Sequence, residues 1–220
     1  MDTPTYPHVQ VAVAGSIATV TLDRPTVHNA FDAELIASLT AAFRDLSAHD
    51  DLRAVVLRGA GPSFCAGADV NWMRASLGWS REENLADATR LAALFAAIND
   101  CPLPVIAAVQ GAALGGGVGL VACCDLVIAA AGTRFGFTEV KLGIAPATIA
   151  PYVVAKIGPA QARALFVTGE RFDAARALAI GLVQRVVPLD QLDAALEETL
   201  QQMRANGPQA MRAAKALARH

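Results

Sequence analysis

An α/β fold is expected from three features of the chain. Short apolar, β-branched runs recur at Ala54–Gly59, at residues 104–109 and at Leu126–Ala130, as strands buried on both faces do. Segments with apolar residues at helical spacing lie between them, and Gly and Pro mark the junctions. Strands alternating with helices over the first two thirds of a chain give an α/β architecture.

The elements follow in order. Residues 9–13 and Ile17–Leu22 flank Gly15 as a hairpin, closed by Asp23, Arg24 and Pro25. The stretch Asn29-Ala30-Phe31-Asp32 offers an N-cap for a helix to about Ala48, with Leu35, Leu39, Ala42, Phe43 and Leu46 on its apolar face. The strand Ala54–Gly59 leads into a loop over residues 60–69, and a long helix is expected over Arg81–Asn99. Pro102 and Pro104 break the chain before the next strand. A glycine turn and helix fill residues 111–125, and a strand ends near Ala130. Beyond Phe137 the pattern is helical over 146–157, 159–168, 173–179, 189–204 and Pro208–Ala218, interrupted by a strand-like run at 181–187. One domain over residues 1–220 is expected, with a core over about 1–187 and a helical region from 188.

Composition narrows the function. A hydrophobic share of 54% against 17% charged residues implies a large core, with apolar surface left for an oligomer interface or an acyl pocket. A net charge of −2 without a basic cluster gives nucleic-acid binding no electrostatic support. Cys65, Cys101, Cys123 and Cys124 form no C-x-x-C pair and lie near no histidine at metal-ligand spacing, so no metal is expected. Free thiols fit a reducing compartment. Residues 1–4 show no leader, and no apolar run reaches the ~18 residues of a membrane span, so a cytoplasmic protein without membrane attachment is expected.

The residues that carry chemistry sit on two glycine loops. Residues 66–69, Ala-Gly-Ala-Asp, and residues 114–117, Leu-Gly-Gly-Gly, each follow a buried strand. Each can be an ordinary turn; together they can aim two backbone N–H groups at one oxygen, and a glycine-rich helix start favours negative charge. No G-x-G-x-x-G, phosphate-loop or G-x-S-x-G pattern fits these glycines. Cys65 has no histidine near it in sequence, so packing is favoured over a nucleophilic role. Glu139 stands among Phe135, Phe137 and Val140; it is either a desolvated acid/base or a solvated partner of Arg134 or Lys141.

Four motifs in order now identify a resemblance. They are Arg24-Pro25 with Asn29-Ala30, residues 64–69, residues 111–125, and Phe135-Gly136 with Glu139 and Leu142-Gly143. In these the chain resembles the enoyl-CoA hydratase/isomerase, or crotonase, family from about Val11 to its last residue. The resemblance implies a crotonase-like spiral of β-β-α turns with a helical carboxyl-terminal region, assembled as a homotrimer or dimer of trimers. It implies an acyl-CoA thioester partner, with CoA carried by the substrate and no separate cofactor. The N–H groups of Ala68 and Gly116 would hold the thioester oxygen as it becomes an enolate, and Glu139 would move protons. Val27, Ala66, Ala68, Asp69, Val70, Asn71 and Gly116 would lie along the substrate and its CoA.

Two departures accompany the resemblance. Family hydratases usually use two glutamates, and the first falls at Gly119, which can transfer no proton. Family members also usually continue for further helices beyond the position of His220. With Gly119, residues 137–152 are similar to a branch associated with hydration of methylglutaconyl- and isohexenylglutaconyl-type CoA esters. Three functions follow as expectations: hydration of a 2-enoyl-CoA, isomerisation of a 3-enoyl-CoA to a 2-enoyl-CoA by one glutamate, or acyl-CoA binding without turnover.

Overall fold

Six strands form the main sheet of the computed structural model, which describes residues 5–218; residues 1–4, read for a leader, lie outside it. The hairpin forms β1 (Val9–Ala14) and β2 (Ile17–Leu22), paired antiparallel around Gly15. Helix α1 (Ala33–Ser47) starts on the expected cap, with the Asp32 carboxylate accepting from the Leu35 N–H at 2.8 Å. Strand β3 (Ala54–Gly59) leads to α2 (Val70–Ser76) and α3 (Arg81–Asn99), the latter opened by a Ser80–Glu83 capping box. Then come β4 (Val105–Val109), β5 (Ala112–Leu114), α4 (Gly116–Cys123), β6 (Leu126–Ala130) and β7 (Arg134–Gly136). The remainder is α5 (Ala150–Thr168), β8 (Arg171–Asp173), α6 (Ala174–Ala179), β9 (Arg185–Val187), α7 (Leu192–Ala205) and α8 (Pro208–Ala218).

The main sheet runs β1-β2-β3-β4-β6-β9 and is parallel beyond the hairpin; β5-β7-β8 form a small second sheet. Two turns of the chain, β4-β5-α4 and β6-β7-α5, each lay one strand in the main sheet and one in the small sheet before a helix. This is the expected α/β spiral.

Side-chain alternation explains how the main sheet is buried twice. Val55, Leu57, Val105, Ala107, Val109, Val127 and Ala129 face the larger core with α1, α3 and α4. Ala54, Val56, Ile106, Ala108 and Ile128 face the other way, against Leu192, Ala195, Leu196 and Leu200 of α7. A parallel sheet is stable only when both faces are covered, so α7 completes the fold. Among the described residues no helix is long and apolar enough to cross a membrane.

Several details differ from the sequence expectation. α2 and the three-residue strands β5, β7 and β8 are additional, being too short to show a period. The helices expected over 146–157 and 159–168 form one element from Ala150, broken at Gly158 (φ 76°) ahead of Pro159. The strand expected over 181–187 is confined to Arg185–Val187.

Ile106 lies at the centre of the face covered by α7 and is fully buried. Truncation of a buried Ile to Ala typically costs about 2–5 kcal/mol. Ile106→Ala is expected to lower the urea midpoint accordingly; an unchanged midpoint would show that α7 does not seal this face.

Candidate active site

Backbone pairing brings the two glycine loops together. Phe31 N–H donates to Gly67 O at 2.7 Å, and Asp69 N–H donates to Phe31 O at 2.8 Å. Phe31 thus bonds both neighbours of Ala68, as in a parallel bridge, and Ala68's own N–H points to the opposite side. A second bridge joins Cys65 to the other loop, with Cys65 N–H donating to Ala112 O and Leu114 N–H to Cys65 O, both at 3.0 Å. Gly116 is the first residue of α4, so its N–H has no acceptor within that helix. Ala68 and Gly116 both line a cavity of about 460 Å³.

The loops approach so closely that side chains are excluded. A Cβ at Gly117 would strike the carbonyl oxygen of Cys65, and one at Gly67 (φ 91°) would stand 2.8 Å from Leu114 O.

Arg24 fastens the first loop. Its guanidinium pairs with Asp32 at 2.9 Å and Asp69 at 3.3 Å and donates to Ala30 O at 2.6 Å. Asp69 also caps α2 through Asn71 N–H at 2.8 Å. Arg24 therefore ties the N-terminal caps of α1 and α2 to each other, with Ala68 between them. Buried Asn29 supports the same corner, accepting from Arg24 N–H and donating to Ala60, Ser63 and Phe64 carbonyls.

Glu139 faces these donors from a 3-10 turn over Glu139–Leu142. Gly115 N–H donates to Gly136 O at 2.8 Å, which fixes β7 and the turn beyond it against the start of α4. A Cβ built on Gly115 would lie 3.2 Å from Glu139 Oε1, so the carboxyl rests directly on the glycine turn. Among the described residues Glu139 has no salt-bridge partner, and its Oε2 is buried without a hydrogen-bond partner. Burial raises its pKa above the usual carboxylate range, opposed by a smaller effect from its own N–H. Of the two sequence alternatives, the desolvated carboxyl describes the structure; Arg134 and Lys141 are both exposed and neither lines the cavity.

The rest of the cavity wall is mainly apolar: Phe31, Trp72, Met73, Leu91, Ile144 and Ile149. Trp72 Nε1 is buried without a partner, as Glu139 Oε2 is, and these two atoms on one cavity are the only such side-chain atoms among the described residues. Asp87 of α3 also lines it.

Of the sequence-predicted residues, the structure brings Ala68, Gly116 and Glu139 together. Val27, Ala66, Asp69, Val70 and Asn71 stay outside the cavity lining. Val27, Val70 and Asn71 are exposed, and Ala66 is half-buried with its N–H on His28 O at 2.9 Å. Asp69 is turned to Arg24 and α2. Cys65 is fully buried with its thiol pushed up to about 12, so it packs, as expected, and is no nucleophile. Sequence reasoning missed Trp72 and Asp87. Asp87 carried a usable signal, because it continues the stripe Leu91, Leu94, Phe95 and Ile98 at helical spacing.

The family model for enoyl-CoA hydratase/isomerase matches residues 12–220. The chain belongs to the enoyl-CoA hydratase/isomerase family. It is 35% identical over 212 residues to "Enoyl-CoA hydratase ACTT6" of Alternaria alternata, spanning 94% of this chain and 67% of that one. A solved enoyl-CoA hydratase from Shewanella pealeana superposes with a TM-score of 0.92 at 38% identity, covering 96% of this chain and 78% of its own. Pseudomonas aeruginosa AtuE superposes with a TM-score of 0.93 at 39% identity, covering 96% and 82%.

For a member of the enoyl-CoA hydratase/isomerase family, Gly119 is the notable position. It is fully enclosed in α4 and absent from the cavity lining. A Cβ there would collide with Ile149 Cγ2 and stand 2.8 Å from Phe95 Cε1. The slot that a first glutamate would use is packed with hydrocarbon.

Two outcomes follow. Gly119→Ala is expected to cost about 1–3 kcal/mol through overpacking; equal urea midpoints for variant and parent would show that the slot is open. Glu139 has a raised folded-state pKa, so its contribution to stability is full below the ordinary carboxylate range and is lost as pH rises through the raised value. Glu139→Gln should therefore melt above the parent at neutral pH, the gap closing as pH falls through the carboxylate range. A gap that does not depend on pH would contradict the burial cost.

Proposed function

We propose that the protein adds water across the double bond of a 2-enoyl-CoA thioester. The observation that carries this is the convergence of three groups on one apolar cavity: the uncommitted N–H groups of Ala68 and Gly116, and the buried, unpaired carboxyl of Glu139. As water attacks the β carbon, charge moves onto the thioester oxygen, where the two N–H groups stabilise the enolate. Removal of one such donor typically costs ~3 kcal/mol. Glu139, whose proton affinity burial raises, gives its proton to the α carbon. The relatives named as enoyl-CoA hydratases support the same reaction.

The lining supports a neutral acyl chain. It contains Asp87 and Glu139 and neither Lys nor Arg. A glutaconyl-type substrate would bring a further carboxylate and need a cation there. The CoA portion would leave the cavity past Ala66, Val70 and Asn71 and the exposed turn at Val27. Exposed Val154, Val167, Leu178 and Leu217, which lie off the cavity lining, support assembly as a homotrimer or a pair of trimers.

The single carboxyl beside the donors favours a second function, migration of a 3-enoyl double bond to the 2 position. One base can remove a proton and return it elsewhere.

Glu139→Gln is expected to lower kcat for hydration of 2-enoyl-CoA esters by about 10²–10⁴-fold, followed as loss of enoyl-thioester absorbance. Unchanged turnover would remove Glu139 from the mechanism. Offering 3-enoyl-CoA esters to the parent separates the functions, because bond migration without water uptake would replace hydration by isomerisation.

A further inference from the structure

A hydration that uses two carboxyl groups needs a partner for Glu139, and Gly119 cannot supply it. Phe95 and Ile149 close that slot, so the partner must enter the cavity from another element. The lining offers one further titratable side chain, Asp87. It sits in the second turn of α3, buried to 9% exposure on a helix stripe otherwise apolar toward the core. Its neighbours on the helix, Ala88 and Leu91, line the same cavity, so this part of α3 forms one wall of it.

The charge of Asp87 is balanced from outside. Arg90, one turn along α3, reaches back to Oδ1 at 3.0 Å while its own side chain stays largely in solvent and off the lining. Oδ2 takes part in no hydrogen bond or ion pair among the described residues. One mostly apolar cavity is thus lined by two carboxyl-bearing residues, Asp87 from α3 and Glu139 from its 3-10 turn.

We propose that Asp87 is the second catalytic carboxylate, taking the proton from the attacking water while Glu139 protonates the α carbon. This rests on the hydration proposed above. The step balances as follows. A water O–H bond breaks, its proton passes to Asp87, and the oxygen bonds to the β carbon. The π pair moves to the α carbon and thioester oxygen, held by the N–H groups of Ala68 and Gly116. Glu139 then forms the α C–H bond. Asp87 ends with one more proton and Glu139 with one fewer, and solvent restores both before the next turnover.

The test uses two readouts on the full chain. One is hydration of a panel of neutral 2-enoyl-CoA esters. The other is exchange of the α proton of the matching saturated acyl-CoA in D₂O, which needs Glu139 and the two N–H groups but no attacking water. Asp87→Asn is expected to reduce hydration by at least about 100-fold and to retain exchange, whereas Glu139→Gln loses both. Asp87→Glu, which keeps the charge, is expected to recover part of the hydration. Hydration equal to the parent in Asp87→Asn would overturn the role of Asp87 alone. Loss of both activities in Asp87→Asn would mark a structural residue and overturn it as well. A parent that exchanges the α proton but hydrates no ester in the panel would overturn the hydration proposal itself, and the base role with it.

Discussion

The structure depends on two short backbone bridges that sew the glycine loops together. Phe31 holds Gly67 and Asp69, and Cys65 holds Ala112 and Leu114. Each bridge is only a pair of hydrogen bonds, worth about 1 kcal/mol apiece in net stability. Their geometric effect is larger. A bridge consumes the donors and acceptors on one side of the chain and leaves those of the central residue facing the other way. Ala68 is exposed to a ligand because its neighbours are not. The demand for glycine at Gly67 and Gly117 follows from the same closeness, since a methyl group would push the loops apart and open the bridges.

Around this junction the charges are kept apart. Arg24 pairs with both Asp32 and Asp69 behind the first loop, outside the cavity lining, where they hold that loop in position. Inside, the wall is apolar, and Glu139 lies beside the start of α4 with one oxygen unpaired. The dipole of a helix start favours ionisation, and desolvation opposes it; the raised pKa shows that desolvation wins here.

Much of this was legible in the sequence, for identifiable reasons. The buried strands, α1 and α3 were visible because their apolar periods are long enough to register, and residues 29–32 marked the stretch in which α1 is capped. Ala68 and Gly116 were singled out through the family resemblance, and Glu139 also through its apolar neighbours. The three-residue strands β5, β7 and β8 were not, because they are defined by partners distant in sequence. Asp69 resembled a ligand contact, but its partner Arg24 lies 45 positions earlier and no local pattern links them. Gly119 was legible as a missing carboxylate, whereas its surroundings were not: only the fold shows Phe95 and Ile149 filling the space.

That filling connects the two ends of α3. Phe95 and Asp87 lie two turns apart on one side of the helix, with Leu91 between them. Phe95 makes an edge contact with Phe31, the residue whose backbone aims Ala68. The aromatic ring that excludes a side chain at Gly119 is therefore part of the support for the first loop, and α3 cannot yield that space without disturbing Ala68. A glutamate at position 119 would need Phe95 and Ile149 to shrink together, and contacting substitutions of this kind couple strongly. Among the described residues the lining holds one carboxyl besides Glu139, that of Asp87, where α3 meets the cavity. The hydrocarbon plug at Gly119 and the place of Asp87 on the lining both follow from how one helix is seated.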